Sequence, residues 1–359
     1  MFRTALAALA AVCLSAQISC TQDEAVEATP SAPPPVQRAA SGDQAIVVKC
    51  ALDDAIEPEV RRAVVQQANT FIAQLRDGRH DTIWDALHPQ AQRPEDRQAF
   101  LETLVNLQGR LESASQGQTQ VERVALGSIA GGVNDIARVV CRDADKADGP
   151  PALTLLANAG GEDIAYVSVL IPGPVYEHAA VVQMRKRDRW HLLGLQVHPS
   201  RFHGKSAVDW VKMASSLRQA QKLVPSYAAL AMAGAMASRG ASVTTPISVA
   251  IETDLQTMRD QPLFIAETKT WTVDGQDFNL HGLSLASTQT DVSLVVKYVN
   301  EGGLVEEFVG RDADKLMEYV RAEYPELKDI VDAVIFEAFA KAPEAAGPTI
   351  QAYRVARFF

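Results

Sequence analysis

From Pro58 onward the apolar residues fall at helical spacing: Val64, Ala68, Phe71, Ile72 and Leu75 share a face, while Arg61, Arg62, Gln66, Gln67 and Gln74 fill the other. Asp77-Gly78 ends that helix. A short one carrying Ile83, Trp84 and Leu87 follows until His88-Pro89 stops it, and Pro94 opens a third with Phe100, Leu101, Leu104, Val105 and Leu111. After Gly117 the texture becomes that of strands. Val121 to Leu126, Ile136 to Arg142, Ala152 to Leu156, Ile164 to Ile171, Ala179 to Arg187 and Trp190 to Val197 are β-branched runs bounded by Gly, Asp, Asn and Pro. Asp188-Arg189 joins the last two in a tight hairpin, in which His191, Leu193, Leu195 and Val197 are expected on one face. The segment Ser128 to Asn134, with Gly131-Gly132, reads as a turn between strands.

Helical periodicity returns at Ala207 to Leu223 and in the Ala- and Met-rich stretch after Pro225, an αα-hairpin expected to pack on a neighbouring domain. A membrane-lying role for Ala228 to Ala237 is the alternative, and that run is too short to span. The last unit reads as strand-like Leu263 to Val273, a piece around Phe278 to Leu285, and Asp291 to Asn300. Helices over Ala313 to Glu323 and Pro325 to Lys341 follow, then a break at Pro343, Gly347 and Pro348, and a closing strand over Thr349 to Phe359. A three-to-four-stranded antiparallel sheet under two helices buries those faces most simply. The fold class is α+β.

The amino end has a different pattern. Met1-Phe2-Arg3 precedes an uncharged run from Thr4 to Ala16, the charged and apolar regions of a signal peptide. Ile18-Ser19-Cys20 resembles the lipobox of bacterial lipoproteins, which implies a lipid on Cys20, although Gln17 stands where such motifs usually carry Leu. The other reading is cleavage near Leu14-Ser15-Ala16, leaving a soluble periplasmic protein with a free Cys20. Thr21 to Gly42, with Pro33-Pro34-Pro35, has the composition of a tether. Thr21 rather than Asp after the cysteine implies, by resemblance to enteric lipoproteins, the outer membrane. The expected plan is signal 1–19, tether 20–45, a first α+β domain 46–204, a helical connector 205–240 and a second α+β domain 241–359.

Composition narrows the function. With 47% hydrophobic and 22% charged residues and a formal charge of −10, the chain is globular and has no basic surface for nucleic acid. The short cluster Arg185-Lys186-Arg187 with Arg189 sits beside Asp188 and reads as a solvated hairpin turn. Of the four cysteines, Cys13 leaves with the signal and Cys20 takes the lipid. That leaves Cys50 and Cys141, either bridged or separately buried. Neither has partners at metal-ligand spacing, so no zinc site is expected.

Three helices followed by antiparallel strands, with Phe71-Ile72-Ala73-Gln74-Leu75, Trp84-Asp85-Ala86-Leu87 and Arg189-Trp190-His191-Leu192-Leu193, resemble the cone-shaped fold of nuclear transport factor 2. The likeness covers Pro58 to Pro199, about two fifths of the chain. It implies three helices on a curved antiparallel sheet. It leaves activity open, since relatives of that fold include isomerase-like and dehydratase-like enzymes as well as lipoprotein domains.

An enzyme of that kind needs an acid or base inside the apolar cone. Tyr166, Tyr176, Glu177, His178 and His191 lie on or beside the strands that would line it, and the neighbours Glu177 and His178 are the weak catalytic candidates. Against them, Pro172-Gly173-Pro174 places the pair on an exposed loop entering a strand. His198 and His203 have no metal-ligand spacing, and His80 and His88 read as surface residues. No cofactor motif is present. The expectation is therefore an envelope binding or scaffold module with a protein partner or a small apolar ligand. The alternatives are an isomerase- or dehydratase-like enzyme, or a structural partner docking through the αα-hairpin.

Overall fold

The helical end forms because each helix has apolar residues to bury against the others. Helix α1 (Pro58–Arg76) opens with Pro in its first turn and buries Val64, Ala68, Phe71, Ile72 and Leu75. Helix α2 (His80–Asp85) buries Ile83 and Trp84, and α3 (Arg97–Glu112) contributes Leu104, Leu107 and Leu111. This is a computed structural model, which describes residues 47–112, 119–130, 136–143, 151–158, 162–173, 176–287, 291–300, 302–342 and 351–359. The signal, Cys20 and the tether lie outside the described residues, as do Gly131-Gly132, Pro174, Pro343, Gly347 and Pro348.

The helices cover one face of a curled antiparallel sheet in the order β1 (Val47–Leu52), β2 (Gln120–Ala130), β5 (Asp163–Ile171), β6 (Tyr176–Lys186), β7 (Trp190–Phe202) and β8 (Lys205–Ser206). Strand alternation divides the side chains. On β5, Ala165, Val167, Val169 and Ile171 join the helical core, whereas Ile164 and Tyr166 face away. Over that second face lies a small sheet of β3 (Ile136–Cys141), β4 (Leu153–Asn158) and β9 (Val243–Thr244), whose Val139, Leu153, Leu155 and Val243 pack on Ala125, Ile164, Tyr166 and Val181. A disulfide joins Cys50 of β1 to Cys141 of β3, Cα atoms 5.1 Å apart.

The β6–β7 hairpin departs from simple alternation. The register shifts between Gln183 and Met184, so Met184 pairs with Leu192 while Gln183 pairs with Gly194. This bulge puts Leu192, rather than Leu193, with Leu195 and Val197 in the helical core. Arg185 is not on a solvated turn: it is 2% exposed, because it still belongs to β6 and its side chain is received by Gln90 and Glu162.

Beyond the sheet, α4 (Ala207–Gln219) and α5 (Leu223–Ala237) form the expected hairpin, α4 starting in a capping box in which Ser206 and Asp209 bond each other's backbone N–H. Helix α5 is apolar all round and is enclosed, with buried residues from Leu223 to Ala237 on every side. Its core is continuous with Tyr176 and Phe202 of the six-stranded sheet and with the carboxyl-terminal elements. No helix among the described residues is long and apolar enough to cross a membrane.

The carboxyl-terminal elements differ from the sequence reading in their helices, their strand count and their strand directions. Pro262 starts a helix, so Leu263–Val273 divides into α7 (Pro262–Lys269), which follows α6 (Pro246–Arg259), and the short strand β10 (Thr270–Val273). Pro325 to Lys341 is not a helix but a 3₁₀ turn, Pro325–Asp329, and strand β13 (Ala333–Phe339). The apolar spacing there fits both periods, and what decides is that Ala-Val-Ile-Phe-Glu-Ala-Phe lies between two strands and is buried on both faces. The sheet has five strands, in the order β10, β11 (Gln276–Ser287), β12 (Val292–Val299), β13 and β14 (Ala352–Phe358). It is not wholly antiparallel: β12 and β13 run parallel, joined by the crossover helix α8 (Glu306–Glu323). The described residues thus make a mixed α+β fold with eight α-helices.

Candidate functional site

Glu177 and His178 are part of strand β6 rather than a loop, and the strand separates them. Residues two apart share a face, and the Tyr176 and His178 rings lie 5.7 Å apart on one side. Glu177 turns to the other, accepting a hydrogen bond at Oε1 from Ser200 Oγ at 2.8 Å with Arg201 Nε 3.3 Å away. The two side chains are therefore not placed to share a proton. Burial, reinforced by the Arg110 charge, pulls His178 down to about 4, so it stays neutral. Burial, together with Asp332 and Asp291, holds the Tyr176 hydroxyl well above the ordinary phenol range.

Four further histidines, His88, His191, His198 and His203, are held in structural contacts. His88 is not a surface residue: it is 3% exposed, because its backbone N–H bonds Leu192 O at 2.7 Å and draws the end of α2 onto β7. Its Nε2 lies 3.3 Å from Glu162, and its ring meets His191 edge-on at 5.9 Å. His191 bonds Asp188 at 2.8 Å. His198 bonds Gln196 at 3.0 Å and is lowered to about 4 by burial and by the charges of Arg239 and Arg110. His203 faces Asp332 at 3.7 Å. Arg185 donates to Gln90 at 2.8 Å and neighbours Glu162 at 3.5 Å, a buried polar knot beside a hollow of about 360 Å³.

Polar and apolar groups from distant segments converge instead on the sheet's second face, in a cleft of about 510 Å³. Its floor comes from β2, β5, β6 and β7, one rim from the start of β4, and the rest from the first turns of α4 and α6 and the end of α5. The bulge between Val121 and Arg123 breaks the alternation of β2 where Glu122 enters the floor. Arg239 grips Glu122 with both ends of its fork, Nε donating at 3.1 Å and a terminal nitrogen at 2.8 Å. Its other terminal nitrogen donates to Met236 O at 2.8 Å and Ser238 O at 2.9 Å, capping the last carbonyls of α5. Ser168 Oγ donates to Glu122 as well.

Electrostatics fix the protonation states. Burial pushes Glu122 up, but the Arg239 bonds and charge, Ser168 and Arg123 outweigh it and leave the carboxyl below its ordinary range. Burial raises the neighbouring Tyr166 hydroxyl to about 12. The floor therefore holds a fixed carboxylate and a fixed phenol, neither poised to exchange a proton near neutrality. The walls are apolar, with Leu153, Leu170, Met236 and Ile247, and Val208 stands 48% exposed at the lip.

Of the residues singled out from sequence, the cleft takes in Tyr166 and Glu177, and excludes Tyr176, His178 and His191. Glu122 and Arg239 were missed. The one available signal was a basic residue directly after an Ala-rich helix, where a cation suits the carboxyl-terminal dipole. No group of three metal-ligating side chains forms among the described residues. A larger hollow, about 950 Å³, runs along the outer face of α1, but its lining comes from that helix and the turn before it, with no convergence of elements. Comparison with protein-family models, curated proteins and solved structures gives no significant match.

Proposed function

We propose that this chain is a cell-envelope lipoprotein, anchored through Cys20 and held off the outer membrane by its tether, whose folded part is a binding module. The three helices on a curled sheet support kinship with the nuclear-transport-factor-2-like cone, with one difference: the side of the sheet facing the helices is filled by Val124, Val167, Val169 and Val182. The single observation that carries the binding reading is the cleft on the opposite face, where six stretches of chain bring together apolar walls and a hydrogen-bonded ion pair. Such mixed, pre-formed concavities of a few hundred Å³ are where proteins take small ligands. The enzymatic reading has less support, because Glu122 stays ionised and His178 is neutral and on the other face.

The test is the mass of protein extracted gently from its own membrane, taken under native and denaturing conditions, for the natural chain and for Val208→Trp. The denatured spectrum should show a diacyl- or triacylglyceryl group on Cys20, and its absence would leave cleavage near Ala16. The native spectrum should show an additional bound mass that Val208→Trp removes. The same bound mass in both proteins would sink the cleft as the site.

A further inference from the structure

Within that reading, on which this inference rests, we propose that the ligand is a single-chain amphiphile with an anionic head, its head seated on Arg201 and its tail against the apolar wall of the cleft. The cleft's charged groups differ in how much of their bonding capacity is spent. Arg239 spends four of its five N–H groups on Glu122 and two backbone carbonyls. Arg123 is held between Asp53 at 3.5 Å and Asp143 at 3.4 Å. Arg201 is different. Its Nε faces Glu177, and its two terminal nitrogens form no hydrogen bond among the described residues while the side chain stays half exposed. Asp209, the next acid along, feels the Arg201 charge, but one of its oxygens is held by the Ser206 hydroxyl and backbone N–H and it makes no hydrogen bond to Arg201.

The position of that guanidinium relative to apolar surface supplies the rest. Arg201 pairs with Ser206 across the β7–β8 turn, which places it beside the first turn of α4. There Ala207 and Val208 line the cleft, followed inward by Met236 and Ile247. A carboxylate or phosphate can accept two parallel bonds from the free edge of the fork, which a quaternary ammonium or a sugar head cannot match. A hydrocarbon chain running inward from it covers wall that is otherwise wet. A free fatty acid and a lysophospholipid both carry this chemistry.

The experiment uses the full chain with Cys20→Ser, which has no acyl group of its own to compete, titrated calorimetrically with decanoate, decyl phosphate, decyl maltoside and decyltrimethylammonium. The anions should bind at least about tenfold more tightly than the cation and the sugar. Arg201→Gln should erase that gap while leaving residual chain binding, the size of effect that one charge-assisted pair confers. Preference for decanoate points to a fatty acid, and preference for decyl phosphate to a lysophospholipid-type head. Equal affinity for all heads, or an unchanged gap in Arg201→Gln with intact circular dichroism, overturns the proposal. If the chains bind without head preference and Val208→Trp blocks them, the cleft remains the binding site and only the head-group assignment falls. If no chain binds and Val208→Trp changes nothing, both fall.

Discussion

Arg239 and Glu122 lie 117 residues apart in sequence and meet through two hydrogen bonds of 3.1 and 2.8 Å, fastening the end of helix α5 to strand β2. The guanidinium is almost enclosed and the carboxylate is one-third exposed, so the pair is only partly screened by water. Truncation as Arg239→Ala leaves Glu122 facing an apolar cleft and frees two carbonyls of α5. The expected loss is about 2–3 kcal/mol in urea unfolding, below the value for a fully buried pair because of that exposure. The double variant Glu122→Gln, Arg239→Met should recover part of it. A loss under about 0.5 kcal/mol would mean that the pair sits in effectively aqueous surroundings.

His178 makes stability depend on pH. Its folded pKa is lowered to about 4 against an ordinary 6.5, so the unfolded chain takes up the proton first. The folded state therefore has its full advantage above about pH 6.5, loses it as pH falls towards 4, and levels off below, with about 3 kcal/mol at stake. Glu122 acts in a different window: its lowered carboxyl contributes above the ordinary carboxylate pKa and its contribution is lost only at more acid pH. Unfolding free energies measured between pH 4 and 7 should slope upward in the natural chain, and His178→Gln should remove its share of that slope, leaving the share of His198, which burial lowers to about 4 in the same way.

The Cys50–Cys141 bond closes a loop of 91 residues. Chain-entropy arguments give such a closure about 4–5 kcal/mol at most, and native disulfides typically contribute about 2–4. Reductant, or Cys141→Ser, should lower unfolding free energy within that range. The small sheet over Tyr166 should loosen first, because the bond ties its strand β3 to β1. Hydrogen exchange over Leu153 to Asn158 that stays unchanged on reduction would contradict this.

Gly240 has a backbone φ of +96°, which side-chain-bearing residues rarely adopt, and a Cβ there would overlap the amide of Gln196. Gly240→Ala should cost about 1–3 kcal/mol in thermal or urea unfolding. Adding Gln196→Ala removes the overlap but not the φ penalty. The double variant should therefore stay below Gln196→Ala alone, and equal stability of those two would show that the overlap was the whole effect.

Much of the fold is legible in the sequence because local pattern and final environment agree. Helix α1 carries a clean apolar stripe and a proline at its start, Pro94 opens the turn that leads into α3, and the strands from Val121 to Val197 lie between turn residues. The reading fails where pattern is ambiguous and long-range contacts decide. Leu327, Ile330, Val334 and Ala338 suit a helix by spacing, yet Ala333–Phe339 becomes a strand because β12 and β14 flank it. Arg185 looks solvated from its neighbours, but Gln90, 95 residues away, receives it. The site was the least legible part, since Glu122, Arg201 and Arg239 acquire meaning only together. One piece was available beforehand: consecutive residues on a strand point to opposite faces, which alone separates Glu177 from His178.

The parallel pairing of β12 with β13 also sets an order of assembly. A chain emerging amino end first makes β12 early, but its neighbour β13 arrives only after helix α8 has been produced, and β13 in turn waits for β14. Until Ala352–Phe358 is delivered, β13, apolar on both faces, presents an open ladder of N–H and C=O groups to any passing strand. Chaperone demand during synthesis should therefore be highest between the appearance of β13 and that of β14. A chain cut short before Ala352 would keep most of its folded mass yet carry an adhesive edge, so quality control would treat it as an aggregation hazard rather than as a slightly shortened protein.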